Sequence, residues 1–320
     1  MRRFCPLQFA VDRPKSVYAE NVPYTRVEMV TEAHRAGFQR VSARLVTDWA
    51  SVGLLAHPTR VARPAGQGRG ALYTWSNPQK DLFLTELHHR PGGKDIQRLL
   101  NVPVAVWLYW GEQWGVELPQ VRVALKNWAA SEYDRSGTED RVLSQARLTV
   151  NNLAAPNATR EDKRLLREAL VKALRKREWD QDKITRLAIP VADPSRSGRT
   201  IGPFATSVET LLRFLPAFLR GLQALDSATN DLLINARAQR RDLTIEYARD
   251  WLRNARDPAF GPMFEHPTVQ FFVNNACRDL VREVGAIEIS GYLPPLVAPW
   301  TNLPDVLRTQ VHKPLRTRGN

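Results

Sequence analysis

Apolar residues recur at intervals of three and four through most of the chain, and the breaks between these stretches fall at glycine, proline or a capping residue. Val27, Val30, Ala33 and His34 outline a first helix over residues 24–36, with Pro23 in its first turn and Gly37 stopping it. Ser42 is an N-cap for a second helix in which Leu45, Val46, Trp49 and Val52 share one face. Arg44, Thr47, Asp48 and Ser51 share the opposite, polar face, and Gly53 ends the helix. An extended piece begins at Leu54 and Leu55, and Ala71, Leu72 and Tyr73 return as a second strand. The loop between them is rich in glycine and proline and carries Arg60, Arg63 and Arg69. Ser76-Asn77-Pro78-Gln79 reads as a capping box that opens a third helix with Leu82, Phe83 and Leu87 turned inward.

Residues 95–114 read as further helix, restarted at Pro103, with Ile96, Leu99, Leu100, Trp107 and Leu108 buried. Beyond Pro119 the helical period recurs over residues 120–133, 140–153, 160–179, 206–226, 231–255 and 266–284, with 191–203 as a long loop or linker. The pattern predicts a mainly α protein. Residues 1–21 form a loose arm, 22–115 a first domain that folds alone, 116–303 an all-helical second domain, and 304–320 a basic, frayed tail.

The order helix, turn, helix, two-stranded wing, helix resembles the MerR-like winged helix-turn-helix family of DNA-binding proteins. Val41-Ser42-Ala43-Arg44, Trp49, Gly53-Leu54-Leu55 and Pro58-Thr59-Arg60 follow the family pattern in order and nearly in spacing, over about Tyr24 to Trp114. The chain differs in a longer turn between the first two helices, in the extra residue His57, and in Thr47 and Asp48, where the family commonly has an arginine and an aromatic or histidine. The resemblance implies a recognition helix that enters the major groove of double-stranded DNA, with Ser42, Arg44, Thr47 and Asp48 on its outward face. It also implies a wing whose Arg60, Arg63 and Arg69 contact phosphates, and a homodimer. The usual signal for such a dimer is missing, since no sustained heptad runs between Glu117 and Trp179.

Charge agrees with a polyanionic partner. Lys and Arg number 46 against 33 Asp and Glu, a net +13. The longest apolar run, VPVAVWLYW over residues 102–110, is shorter than the roughly 20 residues that span a bilayer, so no membrane segment is expected. Two cysteines, Cys5 and Cys277, make neither a disulfide framework nor a zinc site, and a reducing cytoplasm is the simplest setting. His88-His89 lacks further ligands, residues 195–203 lack the spacing of a phosphate loop, and no nucleophile elbow occurs. No cofactor, metal or enzymatic activity is therefore expected. Trp49 and Tyr73 read as packing residues, and the cationic helix from Arg164 to Trp179 as a solvated amphipathic helix. The sequence reads best as a transcriptional regulator whose helical half serves self-association, partner contact or ligand sensing. The alternative is an architectural or mobile-element accessory protein, excisionase-like or for plasmid maintenance.

Overall fold

The computed structural model describes residues 23–63, 71–89, 96–110, 115–133, 138–192, 200–201, 204–205, 208–240 and 267–290. Within them the protein is mainly helical, with a small three-stranded antiparallel sheet. Thr25 decides where the first helix begins. Its hydroxyl accepts from the Glu28 amide while the Glu28 carboxylate accepts from the Thr25 amide, a reciprocal cap, so α1 spans Arg26–Arg35. The start expected at Tyr24 is displaced because Tyr24 and Thr25 pair with Trp75 and Thr74 as an edge strand, β1 (Tyr24–Thr25), preceded by Pro23. α1 buries Met29 and Ala33 and packs Val30 against the core, so of the expected stripe Val27, 69% exposed, is the member that falls outside.

The second helix, α2 (Ala43–Val52), begins and ends where expected. Ser42 Oγ accepts from the Leu45 amide, and Gly53 closes the helix in the left-handed region at φ 88°. Two strands follow, β2 (Thr59–Ala62) and β3 (Ala71–Trp75), in the sheet order β1-β3-β2 with Arg60 opposite Tyr73. In α3 (Asn77–His89), Leu82, Phe83 and Leu87 are buried as expected. Gln79, expected to cap, is buried instead. Its side chain accepts from the Ala56 amide at 2.8 Å and donates to Gln120 Oε1 at 2.9 Å and to the Gly115 carbonyl. A glutamine so placed satisfies polar groups that the sheet-to-helix turn would otherwise bury unpaired.

Two short helices, α4 (Ile96–Leu99) and α5 (Asn101–Ala105), lead into a π-helical turn, Val106–Trp110. The interruption falls at Leu100, because Pro103 sits in the first turn of α5, where a missing N–H breaks no helical bond. Trp107, Leu108, Leu99 and Leu100 are buried, while Ile96 is exposed. The remaining elements are α6 (Leu118–Tyr133), α7 (Thr138–Leu153), α8 (Arg160–Lys176), α9 (Gln181–Ala188), the strand pair β4 (Thr200–Ile201) and β5 (Phe204–Ala205), α10 (Val208–Ala224), α11 (residues 230–240) and α12 (Pro267–Ser290). α9 and the strand pair were not expected. Asp180 caps α9 by accepting from the Lys183 amide at 2.9 Å.

Buried residues gather in two cores. The first joins α1–α6 to the end of α10, α11 and α12, and the second joins α7–α9 to Leu219 of α10. The first core runs across residue 115 without interruption. Asn101 Oδ1 accepts from the Cys277 amide at 3.1 Å, and the Tyr109 and Phe272 rings meet edge to face at 5.4 Å, so α5 and the π turn lean on α12. The segment expected to form the first domain thus shares its core with α12.

A buried ion cluster fixes the same contact. Arg240 on α11 lies 2.5 Å from Asp279 and donates to the Tyr109 hydroxyl, and Arg282 bridges Asp279 and Glu283. Burial pushes the Tyr109 phenol up to about 12, against the opposing pull of Arg240. Shared charges make the enclosed groups mutually dependent, and removing one partner of such a set costs about 3–5 kcal/mol.

Candidate nucleic-acid interface

The candidate surface is built from the outward sides of α2 and of the β2–β3 pair. Trp49 anchors α2 from within, fully buried and edge-to-face with Phe83 at 5.2 Å and 81°. With that face fixed, Ser42, Arg44, Thr47 and Asp48 all lie on the exposed side. The Arg44 side chain is 90% exposed and its Nε is 3.6 Å from Asp48 Oδ2. Thr47 is engaged within the protein: its hydroxyl donates to the Ala43 carbonyl and accepts from Arg26 Nη1 at 3.4 Å.

The two ends of α2 differ. At its C-terminal end Asn127 of α6 donates to the Val52 carbonyl at 3.3 Å and Gln120 to the Leu54 carbonyl at 2.8 Å. A Cβ at Gly53 would collide with the Ala124 backbone, so α6 presses directly on this end. The N-terminal half, from Ser42 to Asp48, has its polar side open.

Arg60 and Arg63 are both exposed, and Arg69 lies outside the described residues. Arg60 and Tyr73 are cross-strand partners and so project from the same side of the sheet. Tyr73 is 56% exposed, contrary to the packing role expected of it. The buried aromatic of β3 is Trp75, two residues on, whose indole N–H donates to the Ala56 carbonyl at 2.8 Å. An exposed aromatic beside an arginine offers a flat face as well as a charge. Arg26 and Arg40, also exposed, belong to the same end of the module through α1 and the turn before α2. Both were overlooked, Arg26 because helix α1 was expected to start two residues earlier.

No family model, curated protein or solved structure matches this chain. The geometry therefore stands by itself.

Titratable and metal-ligating groups elsewhere are packed or scattered. His88 stacks its ring edge against Phe38 at 4.8 Å. Among the described residues no three His, Cys, Asp or Glu side chains gather where they could hold a metal ion, and no helix is long and apolar enough to cross a membrane. Glu86 on α3 is wholly buried with neither carboxylate oxygen hydrogen-bonded, and desolvation raises its carboxyl well above the usual range.

Proposed function

We propose that this protein binds double-stranded DNA by a MerR-like winged helix-turn-helix docking and acts as a transcriptional regulator. In this reading the N-terminal half of α2 enters the major groove and the β2–β3 pair lies on the adjacent backbone. The observation that carries it is the asymmetry of α2: α6 closes the C-terminal end, while Ser42, Arg44 and Asp48 stand open at the other. A helix that reads base edges with its N-terminal residues needs that arrangement, with its apolar side locked and its first two turns unobstructed. The net charge of +13 favours association with phosphate. The helical remainder, continuous with the module through α5 and α12, would carry self-association, partner or ligand contact into the DNA-binding unit.

Selection of the full-length protein against a randomised duplex library tests this. A common site bound about a thousandfold more tightly than scrambled DNA is the expected result. Binding without any site preference would favour the architectural reading, and no salt-sensitive binding would remove DNA as the partner.

A further inference from the structure

Helices α7 and α8 flank an open groove of about 730 Å³ in the second core's outer wall. Five cations line it: Arg147 from α7, and Arg167, Lys172, Arg175 and Lys176 from α8. The one lining acid, Glu168, is already held by Arg164 at 2.7 Å, and Arg164 also binds Glu161. Among the described residues no carboxylate pairs with Arg147, Arg167, Lys172 or Lys176.

The helix divides into two halves. Its N-terminal half alternates charges that satisfy one another, under the Thr159 cap. Its C-terminal half places Lys172 and Lys176 four residues apart, an arrangement of like charges that destabilises a helix by a few tenths of a kcal/mol. The helix dipole favours cations in the last turn and so accounts for Arg175 and Lys176. It accounts neither for Arg167 in mid-helix nor for Arg147 across the groove.

We infer that the α7–α8 groove is a second nucleic-acid contact, holding the sugar-phosphate backbone of one strand. From Arg167 to Lys176, ten residues and nine steps of about 1.5 Å, α8 extends about 13 Å, room for about four phosphates at ~3.4 Å of rise per strand. Four cations run along the α8 bank and Arg147 faces them from α7, an arrangement that suits a linear polyanion lying along α8. A planar membrane would touch only the rims of such a concavity, and its lining has no aromatic residue to sit at a bilayer interface. This site is separate from α2 and the β2–β3 pair, so it stands or falls independently of the docking proposed there.

The test uses full-length protein, a labelled 30-base duplex and its single strand, titrated at several salt concentrations. Arg167→Gln, Lys172→Gln and Lys176→Gln are combined in one variant, and Arg44→Ala, Arg60→Ala and Arg63→Ala in another. The groove variant should retain its melting temperature and flatten the slope of log affinity against log salt by about 2 to 3, at roughly 0.9 per lost phosphate contact. Arginine at Lys172 and Lys176 should preserve the slope. An unchanged slope on both oligonucleotides, or no salt-sensitive binding to either, overturns the inference. So does loss of binding to phosphatidylserine vesicles, or to polyglutamate, with nucleic-acid binding intact. If only the α2 variant keeps wild-type binding, the docking by α2 fails and the groove remains; if only the groove variant does, the reverse holds.

Discussion

Arg44 and Asp48 lie one turn apart on the open side of α2, the guanidinium Nε 3.6 Å from the carboxylate Oδ2. Both are largely exposed, so the pair is screened and contributes at most about 1 kcal/mol to stability. What the pairing does is point the arginine along the helix and place an acceptor beside its donors. Arg44→Ala should lower affinity for a preferred site by about 1–3 kcal/mol and relax preference at one base pair, as loss of base readout does. Asp48→Ala should raise binding to random DNA, because it removes an anion that repels phosphate. Competition titrations with preferred and scrambled duplexes measure both, and unchanged curves for both variants would exclude α2 from the groove.

The strand pair should behave differently. Replacing Arg60, Arg63 and Arg69 together by alanine is expected to weaken binding to every sequence alike and to leave the melting temperature nearly unchanged, since cations that neutralise phosphate read no bases. Tyr73→Ala, on the same side as Arg60, should also spare stability and reduce affinity. A large drop in melting temperature for Tyr73→Ala would return that ring to a packing role.

Trp49→Ala empties a fully buried site against Phe83 and should destabilise the protein by roughly 3–5 kcal/mol in denaturant melts. Loss of DNA binding without loss of stability would mean that the indole meets a ligand.

Glu86 gives stability a pH dependence of known sign. Its folded-state pKa lies above the unfolded value, so the native state holds the extra proton between the two, and stability falls as pH rises through that window. Below the unfolded value both states are protonated and the residue contributes no difference. Glu86→Gln removes the titration. The variant should match the wild type near pH 4 and melt progressively higher than it as pH rises from there; parallel melting curves across the whole range would show that the carboxylate is compensated.

The sequence made some of these features readable and hid others for definite reasons. α2 was legible from cap to cap because Ser42, the Trp49 stripe and Gly53 are local signals that agree. α1 was misplaced because Pro23 and the Thr25–Glu28 cap compete as helix starts, and the pairing of Tyr24 with Trp75, fifty-one residues on, chooses between them. Tyr73 and Trp75, two residues apart on one short strand, share a face, and which of the two is covered depends on what packs over that face in the folded protein. The continuity of the first core could not be read either. Cys277 and Phe272 meet α5 and the π turn from across the chain, and no local pattern records such a meeting. In the same way the α8 cations looked like an ordinary solvated face until α7 brought Arg147 to the opposite bank.

Gly221 on α10 and Gly285 on α12 have their own consequence. A methyl group at Gly285 would overlap the Ala217 carbonyl and the Gly221 amide, and one at Gly221 would overlap the Val281 carbonyl, so the two helices touch main chain to main chain. No layer of side chains remains there to reshuffle when one helix moves. α10 also sends Leu219 into the second core and Leu222 and Leu225, in and just beyond it, into the first. The crossing thus leaves α10 and α12 little room to slide past one another, and it ties the second core to the first through backbone instead of through interchangeable side chains.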